Sequence, residues 1–305
     1  MATTGLYSPH VNHPEKRIAR NILLAVILIL FAVLTLFPIF YMIMSSFGPA
    51  VATAGTSRSI FPRVWTLDSY RAFFSFSKYS VRWIVNSLIV ASATVAGNVI
   101  FASMAGYAFS KIRFKGRRWL FGLILVAMMI PYQVTQVPLY ILIANKLHMT
   151  NTYAAMILPG VVTSYNIFLA KQFFTSIPTP LIESAKLDGC NQLGIFVRII
   201  LPLSAPVLAS VSLFYAVSHW NSYFQAMLYI NNSDMEVITI VLRRLVFLTT
   251  QVAEDSTFDW GAAGMPPIKA VKMATTVLST LPILCIYPFV QKFFTQGVMV
   301  GSVKG

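Results

Sequence analysis

A carboxylate, two small residues and a glycine stand at fixed spacing in residues 183–202, ESAKLDGCNQLGIFVRIILP, within a chain otherwise poor in groups that do chemistry. No GxxxxGK[S/T] phosphate loop occurs, so the chain does not cradle ATP in that manner. No His, Cys or carboxylate cluster has metal-ligand spacing, and no Ser or Cys has an evident base and orienter beside it. The two cysteines, Cys190 and Cys285, suggest no disulfide framework, and Cys285 reads as a small core residue. Residues 83–110, 119–144, 153–170, 199–233 and 273–291 contain no Asp, Glu, Lys or Arg. His219 is their only ionisable group apart from Tyr and Cys. Coupling to an ion gradient generally needs carboxylates or bases within the membrane. Directed work by this chain therefore draws its energy from another subunit.

The elements that must position the 183–202 stretch are membrane helices. Of the 305 residues, 57% are hydrophobic and 10% charged, and the mean hydropathy is +0.71. A soluble domain usually carries about 25% charged residues, so this chain has too little polar surface to solvate a globule. Its apolar runs have helix-spanning length, unlike the short alternating strands of a barrel. The class is all-α and polytopic, with six spans expected at about 21–44, 83–110, 119–144, 153–170, 205–230 and 273–290. The basic start at Lys16, Arg17 and Arg20 and the AVATA at 50–54 mimic a signal peptide. The first apolar run exceeds a signal core of about 7–15 residues, however, and reads as an uncleaved span. Eight prolines punctuate the spans: Pro38, Pro131, Pro138, Pro159, Pro202, Pro206, Pro282 and Pro288. Each frees a backbone carbonyl and can kink its helix.

The net charge of +14 reflects 23 Lys+Arg against 9 Asp+Glu. In a membrane chain this indicates topology rather than nucleic acid, because basic residues hold cytoplasmic loops inside. The 111–118 linker, KIRFKGRR, has five basic residues in eight and places residues 1–20, itself and both termini in the cytoplasm. The loop 231–266 is rich in acids (Asp234, Glu236, Glu254, Asp255, Asp259) and falls outside. Arg58, Arg63, Arg71, Lys78 and Arg82 in the 45–82 loop run against this bias, as do Lys269 and Lys272. Residues 237–252 are apolar enough to tempt a seventh span. Arg243 and Arg244 would then each cost about 2.5–3.5 kcal/mol at mid-membrane, so the segment reads as an external surface helix.

The 183–202 stretch lies in a cytoplasmic loop, 171–204. Thr179-Pro180 reads as a hydroxyl N-cap followed by proline at the first helical position. Glu183 is expected in the first turn, where the helix dipole favours a carboxylate. Gly189 is expected to end this helix in the left-handed C′ conformation. A second helical stretch, 192–201, leads back to the membrane. The product is an elbow that can pass a push from a soluble partner to two spans at once.

The spacing resembles the EAA signature of permease subunits of ATP-binding-cassette importers. That signature runs Glu-Ala-Ala, three residues, Gly, nine residues, Ile, one residue, Leu-Pro. Here it reads Glu183, Ser184, Ala185, then Gly189, then Ile199, Leu201 and Pro202, with Asp188 beside the glycine and Ser184 replacing an alanine. The resemblance covers essentially the whole chain and extends to the smaller permease of maltose-type carbohydrate importers. The final QGVMVGSVKG, with Gly297, Gly301 and Lys304, is similar to the tail of that group. Within that group the chain resembles permeases for oligosaccharides released from polysaccharides, alginate importers among them.

The resemblance implies a type I importer permease fold in the bacterial inner membrane. It also implies a second homologous permease, two ATPase subunits carrying ATP and Mg, a solute-binding protein outside the membrane and an oligosaccharide substrate. It places 183–202 on the ATPases and the 297–305 tail, which shows no helical pattern, at the ATPase dimer interface. The chain itself is expected to be no enzyme and to hold no cofactor or metal. Sugars present apolar ring faces and many hydroxyls, which suit aromatic side chains with amides nearby. Tyr165 and Asn166 in the fourth span, and Tyr215, His219, Trp220, Asn221, Tyr223 and Gln225 in the fifth, are the candidates. Helix packing and interfacial anchoring use the same residue types. The rival functions are an ion-coupled carrier, a membrane-embedded enzyme and a membrane assembly factor. The uncharged spans oppose the first, the missing catalytic constellation the second, and the spacing of the elbow the third.

Overall fold

The computed structural model describes residues 14–48, 61–62, 64–254 and 268–302, and the described residues are helical with short connections. Helix α1 (Pro14–Ser46) is apolar all round, and its side chains from Arg20 to Phe40 are exposed, as suits a helix whose solvent is lipid. Pro38 leaves it continuous. After the short α2 (Asp68–Phe76), helix α3 (Ser80–Lys111) packs against α2 and against helices that follow it in the chain. Between the larger buried residues Trp83, Val90 and Tyr107, its buried face is lined by small and polar ones: Ser87, Ala91, Thr94, Asn98, Ala102, Ser103 and Gly106.

The third expected span is not one helix. It divides into α4 (Arg117–Met129) and α5 (Tyr132–Tyr140), the latter continued by a π-helical segment (Ile141–Lys146), and the two parts are bent by 98°. The physical cause is Pro131, which lacks an amide N–H and disfavours helical geometry at Ile130 before it. Ile130 is accordingly extended, with ψ 120°. The fourth span is also broken, into α6 (Tyr153–Val161) and α7 (Ser164–Ser176), with a 41° bend two residues past Pro159–Gly160. Helices α8 (Thr179–Leu187) and α9 (Gln192–Ile195) form the elbow. From α9 the chain continues through a π-helical segment (Phe196–Ile200) into α10 (Leu201–Trp220), making one uninterrupted 29-residue helix. The fifth span therefore ends at Trp220 and not near residue 230, and α11 (Phe224–Tyr229) is a separate short helix. By length and composition, four helices can cross a membrane alone and six spans result if each bent pair counts as one.

Helix α12 (Ile238–Glu254) covers the 237–252 segment. It buries Ile238, Val241 and Leu245 against Phe73, Trp83, Trp220 and Val271. Both arginines are engaged at the surface: Arg244 pairs with Glu236 at 2.6 Å, and Arg243 lies 4.4 Å from the Tyr223 ring centre. The remainder of the 231–266 loop, from residue 255, lies outside the described residues. Helix α13 (Ile268–Ser302) runs through Gly297 and Gly301, so the tail is helical to Ser302 where no helical pattern was expected. The valines between those glycines tolerate the helix that the preceding span has already nucleated. Lys304 lies outside the described residues.

The most extensive helix contact among the described residues joins α3 to α7. A Cβ added to Gly106 would meet the Ala170 Cβ at 2.6 Å and the Lys171 backbone nitrogen at 2.9 Å, so only glycine allows this approach.

Candidate functional site

The elbow begins one residue earlier than its sequence suggests. Pro178 holds the N-cap position with ψ 130°, and Thr179 and Pro180 are the first two helical residues. The Thr179 hydroxyl makes no capping bond. Proline costs nothing in a first turn, whose amide groups have no intrahelical partner, so either position accepts it. Glu183 therefore stands just beyond the first turn, correcting the expected placement. The other end is as expected. Gly189 has φ +78°, its N–H donates to the Lys186 carbonyl at 3.0 Å, and the Cys190 N–H donates to the Ala185 carbonyl at 2.9 Å. This double bond pattern is a Schellman stop, and the left-handed residue it needs is glycine. Asn191 then caps α9 by accepting from the Gly194 N–H at 2.7 Å.

The two faces of the elbow differ. Ile182, Ala185, Ile195, Phe196 and Ile200 join Tyr107, Ala170, Phe174 and Ile177 in one buried cluster, with Ile199 and Leu201 packed against it. Tyr107 donates to Gln192 Oε1 at 2.8 Å and its ring lies 5.2 Å from that of Phe196. Lys111 donates to the Ile177 carbonyl at 2.6 Å. The elbow is thus bonded to the ends of α3 and α7 and is continuous with α10. Glu183, Ser184, Asp188, Gly189 and Pro202 are exposed on the other face. Leu187 is 89% exposed there and Leu193 65%, two apolar residues that the sequence reading passed over. Apolar side chains on a polar loop outside the spans are the signal that singles them out.

The candidates within the spans fall into two groups. Asn166, Tyr215 and His219 meet at the break between α6 and α7. Asn98 donates to the carbonyls of Gly160 at 3.3 Å and Val161 at 3.2 Å and to the Thr163 hydroxyl at 3.1 Å. Its own carbonyl accepts from Asn166 Nδ2 at 2.5 Å, and the Tyr215 hydroxyl donates to the Gly160 carbonyl. These are carbonyls that the broken helix leaves without amide partners, so the network repairs the break. The His219 ring packs on Tyr215 at 4.6 Å, and a Cβ on Gly160 would meet it at 2.6 Å. Tyr165 is exposed and shares with Asn166, Phe214, Tyr215 and Ser218 the wall of a cavity of 280 Å³ between α7 and α10.

The second group lies at and beyond the end of α10. Trp220 is buried, and its indole N–H donates to the Ser279 carbonyl at 2.8 Å, so it joins α10 to α13. Asn221 and Tyr223 are exposed beyond the end of α10, Tyr223 under Arg243. Gln225 lines a 20 Å³ cavity with His219, Ser222 and Thr239. Asn98 and Gly160 were missed in the sequence reading, because one buried asparagine in a span looks like any other until its partners are known. Among the described residues no group of three or more His, Cys, Asp or Glu could hold a metal ion.

The family described as "Binding-protein-dependent transport system inner membrane component" matches residues 98–300. The protein LplC of Bacillus subtilis is 39% identical over 89% of this chain and 90% of its own length. The polygalacturonan/rhamnogalacturonan transport system permease YtcP of the same organism is 36% identical over 91% and 96%. The arabinooligosaccharides transport system permease AraQ, also of B. subtilis, is 30% identical over 97% and 100%. Among solved structures, a chain of a bacterial ABC transporter that imports the acidic polysaccharide alginate superposes with a TM-score of 0.77. It is 27% identical and covers 95% of this chain and 100% of its own.

Proposed function

This chain belongs to the family of inner-membrane components of binding-protein-dependent transport systems, and from that premise we propose how its two sites divide the labour of an importer. The chain is a permease subunit and not an enzyme; ATP is hydrolysed on separate subunits. Its solute is an oligosaccharide. The permeases YtcP and AraQ, named for transport of plant-wall saccharides, and the alginate importer support this reading. The chain pairs with a second permease, receives its solute from a binding protein and rests on two ATPase subunits, so ATP and Mg belong to the partners.

The elbow is the ATPase contact. The observation that carries this is its two-sidedness: one face is fused to α3, α7 and α10, while Glu183, Ser184, Asp188 and Gly189 are free to meet a partner. A push on the free face reaches three spans through packed side chains. The ATPases then lie on the side of the KIRFKGRR linker, with both termini in the cytoplasm and the 231–266 loop towards the binding protein. The tail, helical to Ser302, extends towards the ATPases. The sugar passes near Tyr165, Asn166 and Tyr215, where an aromatic wall meets amide and hydroxyl groups beside a cavity of useful size.

Gly189 supplies the test. A Cβ there meets nothing within 4 Å, so a side chain costs only the left-handed backbone, about 1–2 kcal/mol for most residues and less for asparagine. Gly189→Leu should insert and pair with the second permease yet hydrolyse ATP without sugar uptake in proteoliposomes. Gly189→Asn separates strain from contact: recovery of uptake assigns the need to backbone geometry, and continued loss assigns it to close approach of the ATPase. Normal uptake by Gly189→Leu would remove the elbow from the coupling path.

A further inference from the structure

The five basic residues of the 111–118 linker have unequal duties. Lys111 is spent on the carbonyls that end α7, donating to Ile177 at 2.6 Å. Arg117 is spent on the linker itself, donating to the Ile112 carbonyl at 3.1 Å. Arg113, Lys115 and Arg118 remain, and all three are exposed. The three ion pairs among the described residues, Arg71–Asp68, Arg82–Asp234 and Arg244–Glu236, lie at the opposite end of the molecule. The three cations therefore have no carboxylate partner among the described residues.

The turn that carries them is built. Gly116 takes φ +84° ahead of α4. Phe114 packs on Phe109 at 5.8 Å, Phe109 on Phe121 at 5.6 Å, and Phe121 on Phe168 at 6.4 Å. These contacts and the two carbonyl bonds hold the turn in place before any ligand arrives. Beside the cations, Trp119 is 72% exposed and Leu120 45% at the start of an apolar helix. An indole at the mouth of a span prefers the depth of lipid headgroups. Three exposed cations on this fixed turn, with the apolar start of α4 beside them, match an anionic headgroup with its acyl chains.

We infer that Arg113, Lys115 and Arg118, with Trp119, form a binding site for anionic phospholipid headgroups. The inference rests on the chain crossing a bilayer and is independent of the solute and of the elbow. A polybasic segment gains about fivefold in affinity per cation near an anionic surface, and the gain fades with salt. Its competitor is an ATPase subunit seated on the same turn. The lipid is favoured because Trp119 and Leu120 are apolar, exposed and at the entry of a span, whereas the elbow carries its own apolar pair, Leu187 and Leu193.

The test uses the whole importer in phosphatidylcholine vesicles containing increasing fractions of phosphatidylglycerol, with the thermal unfolding midpoint as readout. The wild type should be stabilised, less so at high salt. Lys115→Gln leaves four basic residues to hold topology and should need about fivefold more phosphatidylglycerol for the same gain. The charge-keeping pair Arg113→Lys and Arg118→Lys should titrate like the wild type. The triple variant with glutamine at 113, 115 and 118 should show no gain. Inorganic phosphate added to pure phosphatidylcholine vesicles should stabilise nothing, and stabilisation by it would reassign the site to small anions. An unresponsive wild type, or Lys115→Gln that titrates like the wild type, would overturn the inference. So would loss of the ATPase subunits from the triple variant in pure phosphatidylcholine, which would make the turn a protein-docking surface. Should the triple variant fail to insert, the Lys115→Gln comparison decides alone.

Discussion

Asn98 shows how a single residue holds an interrupted span together. Its amide donates to two carbonyls and a hydroxyl at the α6–α7 break and accepts from Asn166. Asn98→Asp keeps the shape and removes the N–H donors. It should lower the thermal unfolding midpoint of the detergent-solubilised chain by the equivalent of about 1–3 kcal/mol, the cost of leaving buried polar groups unpaired. A midpoint unchanged from the wild type would mean that the carbonyls find other partners. Glycines divide in the same way. A Cβ on Gly106 would lie 2.6 Å from the Ala170 Cβ, whereas a Cβ on Gly122 would meet nothing within 4 Å. Gly106→Leu should therefore destabilise the chain severely and Gly122→Leu hardly at all, by the same unfolding measurement; equal effects would deny the close α3–α7 approach. The Gly189 left-handed stop was readable in the sequence because a glycine ends a polar helix there, and glycine is the residue type that takes φ +78° without strain. Asn98 was not readable, because nothing in a sequence tells which of several polar residues in apolar helices will meet.

Among the elements, the broken spans separate what periodicity can and cannot foresee. Pro38, Pro131, Pro159 and Pro282 look alike in sequence. Pro38 and Pro282 stay inside continuous helices, Pro131 turns its span by 98°, and Pro159 precedes a 41° bend. The side chains around Pro38 in α1 are exposed, whereas the carbonyls freed near Pro159 find Asn98 and Tyr215 waiting. The end of α10 was misjudged for a related reason. Residues 221–230 carry no charge and keep Phe224, Met227, Leu228 and Ile230 in the apolar run, but Trp220 is fixed to the Ser279 carbonyl and the chain turns there. At the opposite end of α3 from the linker, Trp83, Asn86 and Ser87 latch the 233–238 segment. Trp83 donates to the Ser233 carbonyl at 2.6 Å, Asn86 to the carbonyls of Asp234 and Glu236, and Ser87 accepts from the Ile238 N–H at 2.9 Å. Trp83→Phe keeps the ring packing and loses one of these bonds, worth about 0.5–1.5 kcal/mol. Amide hydrogen exchange should then quicken across 231–238 and not along α3. Exchange that stays slow would show that the remaining bonds suffice.

For the whole molecule, the arrangement is a path of contact from one surface to the other. The free face of the elbow leads through Ile182, Ala185 and Phe196 to Tyr107 and Phe174, then along α3 and α7 to the break beside Tyr165 and Tyr215. Packed side chains and helices thus connect the elbow to the polar repair at the break. The number of spans, the elbow and its spacing were legible from apolar run length, charge bias and one motif. The route between elbow and cavity was not, because it depends on which small residues of α3 face α7. The central claim is that the exposed face of the elbow passes the work of the ATPases to this route. The most direct measurement is the amount of sugar imported per ATP hydrolysed by proteoliposomes carrying Glu183→Arg, an exposed charge reversal that leaves the buried cluster untouched. The predicted result is intact insertion and pairing with the second permease, with uptake lost and hydrolysis either lost with it or no longer tied to the solute. Uptake per ATP equal to that of the wild type would contradict the account.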